Sequence, residues 1–219
     1  HGAHQQSQRP PGGKACRGRP HQHQFHRADP VLQAELDGDY QTIFATFDTE
    51  PVACGSIGQV YRATLADTGA SVAVKVQRPN IKKAIRADIE IIGWIVRQLN
   101  EKVEEVRPYD LPEVVASAGK GILEELNFSI EANNAHLFNL VNPYDIVFAP
   151  KIFTQFTTGR LTVSEWVEGV PPGDPSINAE DGKKLATLGC QSVFDQIFIS
   201  GFFHADPHGG NILITQDRR

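Results

Sequence analysis

One stretch near the end of the chain, residues 201–213 (GFFHADPHGGNIL), constrains its fold most. It contains His204, then Asp206, and then Asn211 five positions after the aspartate. This is the spacing of a phosphotransferase catalytic loop, in which the aspartate orients the attacking hydroxyl and the asparagine binds Mg²⁺. We therefore predict that Asp206 is the catalytic residue, that Asn211 is a metal ligand and that His204 supports them.

A second motif, residues 53–60 (ACGSIGQV), fits the Gly-x-Gly-x-x-Gly-x-Val loop of kinases with Ala53 in place of the first glycine. Such a loop covers phosphates with backbone N–H groups, which requires residues small enough for close approach. Taken alone, the pattern is more typical of an ordinary hairpin turn, which also uses glycine and alanine. The residues predicted to bind the cofactor here are Ala53, Cys54, Gly55, Ser56, Ile57, Gly58 and Val60.

Lys75 ends the sequence Val-Ala-Val-Lys on the next predicted strand, where kinases place the lysine that binds the α- and β-phosphates. A lysine inside an apolar strand is costly to bury unless it meets an anion. An exposed edge-strand lysine is the alternative, but the three motifs follow the order of an ATP site. Glu165 and Val167, on the predicted strand 161–169, are then expected where backbone groups contact adenine, although an ordinary strand fits equally well.

Composition divides the chain into three segments. Residues 1–28 are rich in His, Gln, Gly and Pro, with Phe25 as the one large apolar side chain, and are predicted to be disordered or non-native. Residues 29–169 combine predicted hairpin strands, helices over 81–103 and 112–140, and strands over 149–153 and 161–169, which predicts an N-terminal lobe. Residues 170–219 begin a helical C-terminal lobe. The predicted fold class is α+β.

Charge, cysteine usage and hydropathy exclude several function classes. The net charge is −5, and the basic excess is confined to residues 1–27, which argues against nucleic-acid binding. Three cysteines without a Cys-x-x-Cys motif favour a reducing compartment over a disulfide framework or a zinc site. Because no run of about 18 apolar residues exists, no transmembrane segment is predicted. Together these features predict a cytoplasmic location.

Four blocks of the sequence resemble the UbiB/ADCK family of atypical kinases. In chain order they are residues 51–60 (PVACGSIGQV), 72–79 (VAVKVQRP), 124–134 (EELNFSIEANN) and 203–211 (FHADPHGGN). The resemblance implies a protein-kinase-like fold, ATP and Mg²⁺ as cofactors, and kinase or ATPase activity. It also implies a link to ubiquinone (coenzyme Q) biosynthesis, partners among quinone-biosynthesis proteins, and a peripheral position on the lipid surface of the inner membrane.

Departures from the family pattern affect the second tier of site residues, which are Glu124, Glu125, Asn127 and His204. Asn127 replaces the aspartate of the family's Glu-x-Asp element, which begins at Glu125, so one charge is lost. Gly119 stands where we expect the helix glutamate that pairs with the strand lysine. Lys75 is therefore expected to pair with Glu124 or Glu113 instead.

Three further departures from the family pattern lie outside the Glu-x-Asp block. No Lys-x-Gly-Gln string occurs, a glycine follows His208 where the family's His-Pro-Gly-Asn has proline, and the sequence stops before an Asp-Phe-Gly element. The family uses that last element to bind the second metal ion, so this stretch by itself is expected to show little or no catalysis.

Three functional hypotheses remain open on the sequence. The first is an ATP-dependent atypical kinase or ATPase. The second is an ATP-responsive pseudokinase scaffold, which the loss of charge at Asn127 favours. The third, a small-molecule phosphotransferase of aminoglycoside-kinase type, shares the His-x-Asp and Asn spacing but leaves the Glu-Leu-Asn-Phe block unexplained.

Overall fold

A five-stranded antiparallel sheet forms the centre of the molecule. The structure is a computed structural model that describes residues 22–38, 40–204 and 207–217. The strands run in the order β1-β3-β4-β5, and β2 pairs with β3. Their bounds are Phe44–Phe47 (β1), Ala53–Cys54 (β2), Gly58–Leu65 (β3), Ser71–Gln77 (β4) and Leu161–Glu165 (β5).

Along the chain, helices lie before β1, between β4 and β5, and after β5. Helices α1 (Gln22–Glu35) and α2 (Tyr40–Ile43) precede β1, whereas α3 (Ile81–Lys102), α4 (Leu111–Glu125) and α5 (Phe128–Val141) lie between β4 and β5. After β5 come β6 (Gly169–Val170), α6 (Ala179–Asp195) and β7 (Ile214–Thr215), and β6 pairs with β7. The sheet with its helices confirms the predicted α+β class. The division into lobes near residue 169 stays a prediction.

The apolar core lies on one face of the sheet. Side chains alternate along a strand, so Val72, Val74 and Val76 of β4 share a face, and all three are buried. Helix α1 covers this face with Ala28, Val31 and Leu32, whose spacing places them on one side of a helix. The predicted disorder of residues 1–28 is therefore wrong for residues 22–28, because the helix that packs on the sheet begins at Gln22.

Tyr61 of β3 is fully buried in this core. Its hydroxyl donates a hydrogen bond to Gln59 Oε1 at 3.2 Å, and burial raises the pKa of Tyr61 to about 12. The phenol therefore remains a neutral donor at any working pH.

Two secondary-structure predictions for the segment between β4 and β5 were wrong. The strand predicted over residues 149–153 is reduced to a single bridge at Ile152, next to Pro150, which has no backbone N–H to contribute to a ladder. The helix predicted over 112–140 is two helices, because α4 ends at Glu125 with Leu126 as its C-cap, and Asn127 caps the start of α5. Among the described residues, no helix combines the length and apolarity needed to cross a membrane.

Candidate active site

The face of the sheet opposite the core carries the predicted lysine. In the strand register Val60 of β3 lies opposite Lys75 of β4, and Lys75 lies opposite Thr162 of β5. Residues directly opposite each other share a face, so these three side chains form a row across the sheet. Ala73 and Ser164 form the next pair along β4 and β5. Lys75 is thus flanked by small or half-buried side chains.

Lys75 makes an ion pair with Glu131 of α5. Its Nζ lies 2.6 Å from Glu131 Oε2 and 2.8 Å from Oε1, and it also lies 4.6 Å above the centroid of the Phe128 ring. The expectation that Glu124 or Glu113 would be the partner was wrong. Glu124 lies instead 4.0 Å from Lys120 on the exposed side of α4. The error follows from expecting the pairing glutamate at position 119, before Glu125, whereas it lies after Glu125 in the first turn of α5.

Local capping fixes the helix that carries Glu131. The side chain of Asn127 accepts a hydrogen bond from the Ser129 amide at 3.2 Å and so caps the N-terminus of α5. Glu131 lies in the first turn, where the helix dipole favours a negative charge. Glu125 is exposed at the end of α4. The Glu-Leu-Asn element therefore forms a helix junction.

The junction is tied to the sheet on two sides. Gln77, at the end of β4, donates from Nε2 to the Leu126 carbonyl oxygen at 2.6 Å. The Phe128 amide donates to the Gly159 carbonyl oxygen at 3.0 Å, and the Phe128 ring is buried. These contacts set where α5 begins relative to β4, and so set the reach of Glu131 to Lys75.

We expect Asn127→Ala to lower the free energy of unfolding by about 1 kcal/mol, because the Ser129 amide loses its cap. Asn127→Asp should be at least as stable as the wild type, since aspartate caps equally well and favours the helix dipole. Urea unfolding measures both. Asn133→Ala, at an exposed position of the same helix, is the control, and a loss at Asn133 equal to that at Asn127 would contradict the capping role.

The small-residue loop lies between β2 and β3. The Gly55 amide donates to the Gly58 carbonyl oxygen at 2.9 Å, which closes the loop as a tight turn. A Cβ atom on Gly58 would lie 2.8 Å from the Val76 carbonyl oxygen, so no other residue fits there without a shift of the backbone. The loop is therefore pressed against β4, one residue past Lys75.

The cysteine prediction holds only in part. Cys190 is free and exposed. Cys54 is disulfide-bonded, so the expectation of unpaired cysteines was wrong for this residue. Cys16 lies outside the described residues.

The end of β5 borders an open cavity of about 460 Å³. Its wall includes Glu165, Trp166 and Val167, together with residues from α5 and the segment after it. The amides of Glu165 and Trp166 donate to the carbonyl oxygens of Lys151 and Ser71, at 2.8 and 3.1 Å. The Val167 amide makes no hydrogen bond to any described residue. The contact with adenine expected at Glu165 and Val167 stays a prediction.

Residues 201–213, which have the spacing of a phosphotransferase catalytic loop, follow α6. The His204 amide donates to Oε1 of the buried Gln196 at 3.1 Å, and the Asn211 amide donates to the His208 carbonyl oxygen at 2.8 Å. The Gly210 amide donates to His208 Nδ1 at 2.8 Å. Strand β7 begins three residues after Asn211 and pairs with β6, which lies just beyond β5.

The residues predicted for metal binding and catalysis are only partly described. Asp206 lies outside the described residues, so its role stays a prediction. His204 and Asn211 are exposed. Within the described ranges, no group of three or more His, Cys, Asp or Glu side chains could hold a metal ion.

Sequence reasoning missed Glu131, Gln77 and Phe128 as site residues. Glu131 was within reach, since it lies in the block 124–134 that carries the family resemblance. Gln77 and Phe128 act by packing and by a bond to a backbone carbonyl, and such contacts leave no motif in a single sequence.

Comparison with known proteins identifies the family. A model of the ABC1 atypical kinase-like domain matches residues 17–219. The chain is 37% identical over 190 residues to the chloroplastic protein ACTIVITY OF BC1 COMPLEX KINASE 3 of Arabidopsis thaliana, covering 85% of this chain and 27% of that protein. It is 36% identical over 194 residues to a probable protein kinase UbiB of Shewanella, covering 87% of this chain and 35% of the relative.

A solved structure gives the same answer for the fold. The complex of Rv3197 with erythromycin from Mycobacterium tuberculosis superposes with a TM-score of 0.72 at 26% identity, over 89% of this chain and 49% of that one. The protein-kinase-like fold and the resemblance drawn from the four sequence blocks are both confirmed. The chain belongs to the ABC1 family of atypical kinase-like proteins, which includes UbiB.

Proposed function

We propose that this chain forms the ATP-binding part of a UbiB-like atypical kinase or ATPase that uses Mg²⁺. The observation that carries the proposal is the Lys75–Glu131 ion pair on the open face of the sheet, beside a loop closed by Gly55 and Gly58. An ammonium held by a carboxylate next to exposed backbone N–H groups is suited to the phosphates of a nucleotide.

The described residues fit a triphosphate. The loop holds no side chain at Gly55 and Gly58, and at Gly58 a Cβ would collide with β4. The loop can therefore lie close to phosphate oxygens, while Lys75 supplies the positive charge. The Val167 amide is the proposed hydrogen-bond donor to the adenine. Bound Mg²⁺ would neutralise phosphate charge, and the proposed ligand is Asn211.

Catalysis in this proposal is mainly electrostatic. Phosphoryl transfer requires an aligned nucleophile and compensated charge rather than a covalent intermediate on the protein. Lys75 orients the phosphates, Glu131 holds Lys75 in place, and Asp206 orients the attacking hydroxyl or water. The role of the whole protein, including a link to ubiquinone biosynthesis, quinone-biosynthesis partners and a membrane surface, is proposed from the likeness to UbiB alone.

An ATP-responsive scaffold is the second candidate, and the position of Asn127 favours it. Where the family has an aspartate, this side chain is uncharged, and its oxygen is engaged in capping α5. A site with less negative charge holds metal ions less strongly and turns over more slowly. Such a protein would bind ATP and hydrolyse it little or not at all.

Binding and single-turnover hydrolysis distinguish the two candidates. In the whole protein, Asp206→Asn should lower the rate of single-turnover ATP hydrolysis by about 100-fold or more, because the nucleophile is no longer oriented. The affinity for ATP·Mg²⁺, measured by calorimetry, should stay within about twofold of the wild-type value, since asparagine has nearly the same shape as aspartate.

The control is Asp174→Asn, in the connector before α6, where the carboxylate accepts a hydrogen bond from the Ser176 amide. This variant should hydrolyse ATP at the wild-type rate. ATP binding without hydrolysis by the wild type would support the scaffold. An absence of ATP binding would reject both candidates.

A further inference from the structure

Arg78 holds the small-residue loop at two points. Its guanidinium donates from Nε and Nη2 to the Gly55 carbonyl oxygen, at 3.1 and 2.9 Å. Its backbone amide donates to the Ile57 carbonyl oxygen at 2.8 Å. These two carbonyl groups of the loop are therefore directed toward Arg78, which lies just past the end of the strand that carries Lys75.

The orientation of one carbonyl fixes the orientation of the next amide. In a trans peptide the C=O of one residue and the N–H of the next point in opposite directions, and the described part of the chain has no cis peptide. The Ser56 amide must therefore point away from Arg78. It makes no hydrogen bond to any described residue, and Ser56 is exposed. An N–H group without a protein partner is a donor for solvent or for a ligand.

We propose that Arg78 is a positioning residue for phosphate binding: by holding the Gly55 carbonyl, it presets the Ser56 amide to donate to a phosphate oxygen of the nucleotide. This inference rests on the proposed function, which supplies the nucleotide. A fork with two N–H groups defines the direction of a carbonyl better than a single donor does. Two of the guanidinium donors are already engaged with the loop, so Arg78 acts through the peptide rather than on the ligand.

The first test compares ATP with adenosine, which has no phosphate. In the full chain, Arg78→Ala should weaken ATP binding about tenfold, the effect of losing one charge-assisted interaction. Adenosine affinity should be unchanged, whereas general damage to the fold would weaken both ligands. Arg78→Lys should lie between wild type and alanine. Arg86→Ala, an exposed arginine on α3, removes the same charge elsewhere and should leave both affinities unchanged.

The second test needs no nucleotide. Hydrogen exchange in the free protein reports the Gly55 amide, which is bonded to the Gly58 carbonyl oxygen. Arg78→Ala removes the two guanidinium hydrogen bonds to the Gly55 carbonyl oxygen, and we expect the exchange rate of the Gly55 amide to rise several-fold. Arg86→Ala should leave this rate unchanged.

The two tests separate the failure of this inference from the failure of the proposed function. A wild-type chain that binds no ATP would contradict the proposed function. Weaker ATP binding by Arg78→Ala with unchanged Gly55 exchange would mean that Arg78 contacts the phosphate directly, and it would overturn the positioning role. Unchanged ATP affinity in Arg78→Ala would overturn it as well.

Discussion

Replacing Lys75 with methionine is expected to weaken ATP·Mg²⁺ binding by about 10- to 100-fold, the loss of one or two hydrogen bonds to a charged group. Methionine replaces the apolar stem of the lysine as far as Cε and lacks the Nζ atom that lies over the Phe128 ring. It removes the ammonium that pairs with Glu131 and that is proposed to bind the nucleotide phosphates. Calorimetric titration of the purified chain measures the change.

The same substitution should change stability little. The side chains of Lys75 and Glu131 are 34% and 54% exposed, and water screens an ion pair of this exposure, so it contributes about 1 kcal/mol or less. A large loss of ATP affinity with a nearly unchanged unfolding midpoint would therefore assign Lys75 to binding. Lys83→Met, on the exposed side of α3, is the matched control. Equal ATP affinity in wild type and Lys75→Met would contradict the proposed role of Lys75.

Glu131→Gln tests the other half of the pair. Glutamine can still accept a hydrogen bond from Lys75, but it no longer fixes the ammonium by charge. We expect a smaller loss of ATP affinity than in Lys75→Met, because the ammonium is still present. A loss in Glu131→Gln larger than in Lys75→Met would mean that Glu131 contributes by a route other than Lys75.

Local sequence patterns predicted the part of the fold that depends on local rules. The alternation from Val60 to Leu65, the turn at Gly69 and the alternation through Val76 predicted the hairpin of β3 and β4, and with it the position of Lys75 on a strand. The spacing of apolar residues from Ile81 predicted a long amphipathic helix that ends before Pro108, and α3 ends at Lys102. These features follow from the strand and helix periods alone.

The missed features depend on contacts between distant segments. Helix α1 is stable because Ala28, Val31 and Leu32 pack on the sheet, and the composition of residues 1–28 gives no sign of that surface. The break at Asn127 depends on Gln77 and Gly159, which bond to the backbone on either side of it. The partner of Lys75 was missed because the pairing glutamate was expected at position 119 on α4, whereas Glu131 lies on α5, which packs beside β5.

Gly58→Ala is expected to lower the free energy of unfolding by about 1–3 kcal/mol, the usual cost of inserting a group into a packed region. The new Cβ would lie 2.8 Å from the Val76 carbonyl oxygen and 3.3 Å from Phe128 Cζ. A backbone carbonyl cannot move without disturbing the β3–β4 ladder. Phe128 cannot move freely either, since it is buried and begins the helix that carries Glu131. Urea unfolding measures the loss.

Gly55→Ala, in the same loop, is the matched control. Its Cβ would meet its nearest neighbour, the Gly58 carbonyl oxygen, at 3.6 Å, which is an ordinary contact, so its stability should stay within about 0.5 kcal/mol of wild type. If the strain at Gly58 reaches α5, Gly58→Ala should also weaken ATP binding, because Phe128 and Glu131 both contact Lys75. Equal stabilities for the two variants would show that the loop is not pressed against β4, and would remove the reason for a glycine at position 58.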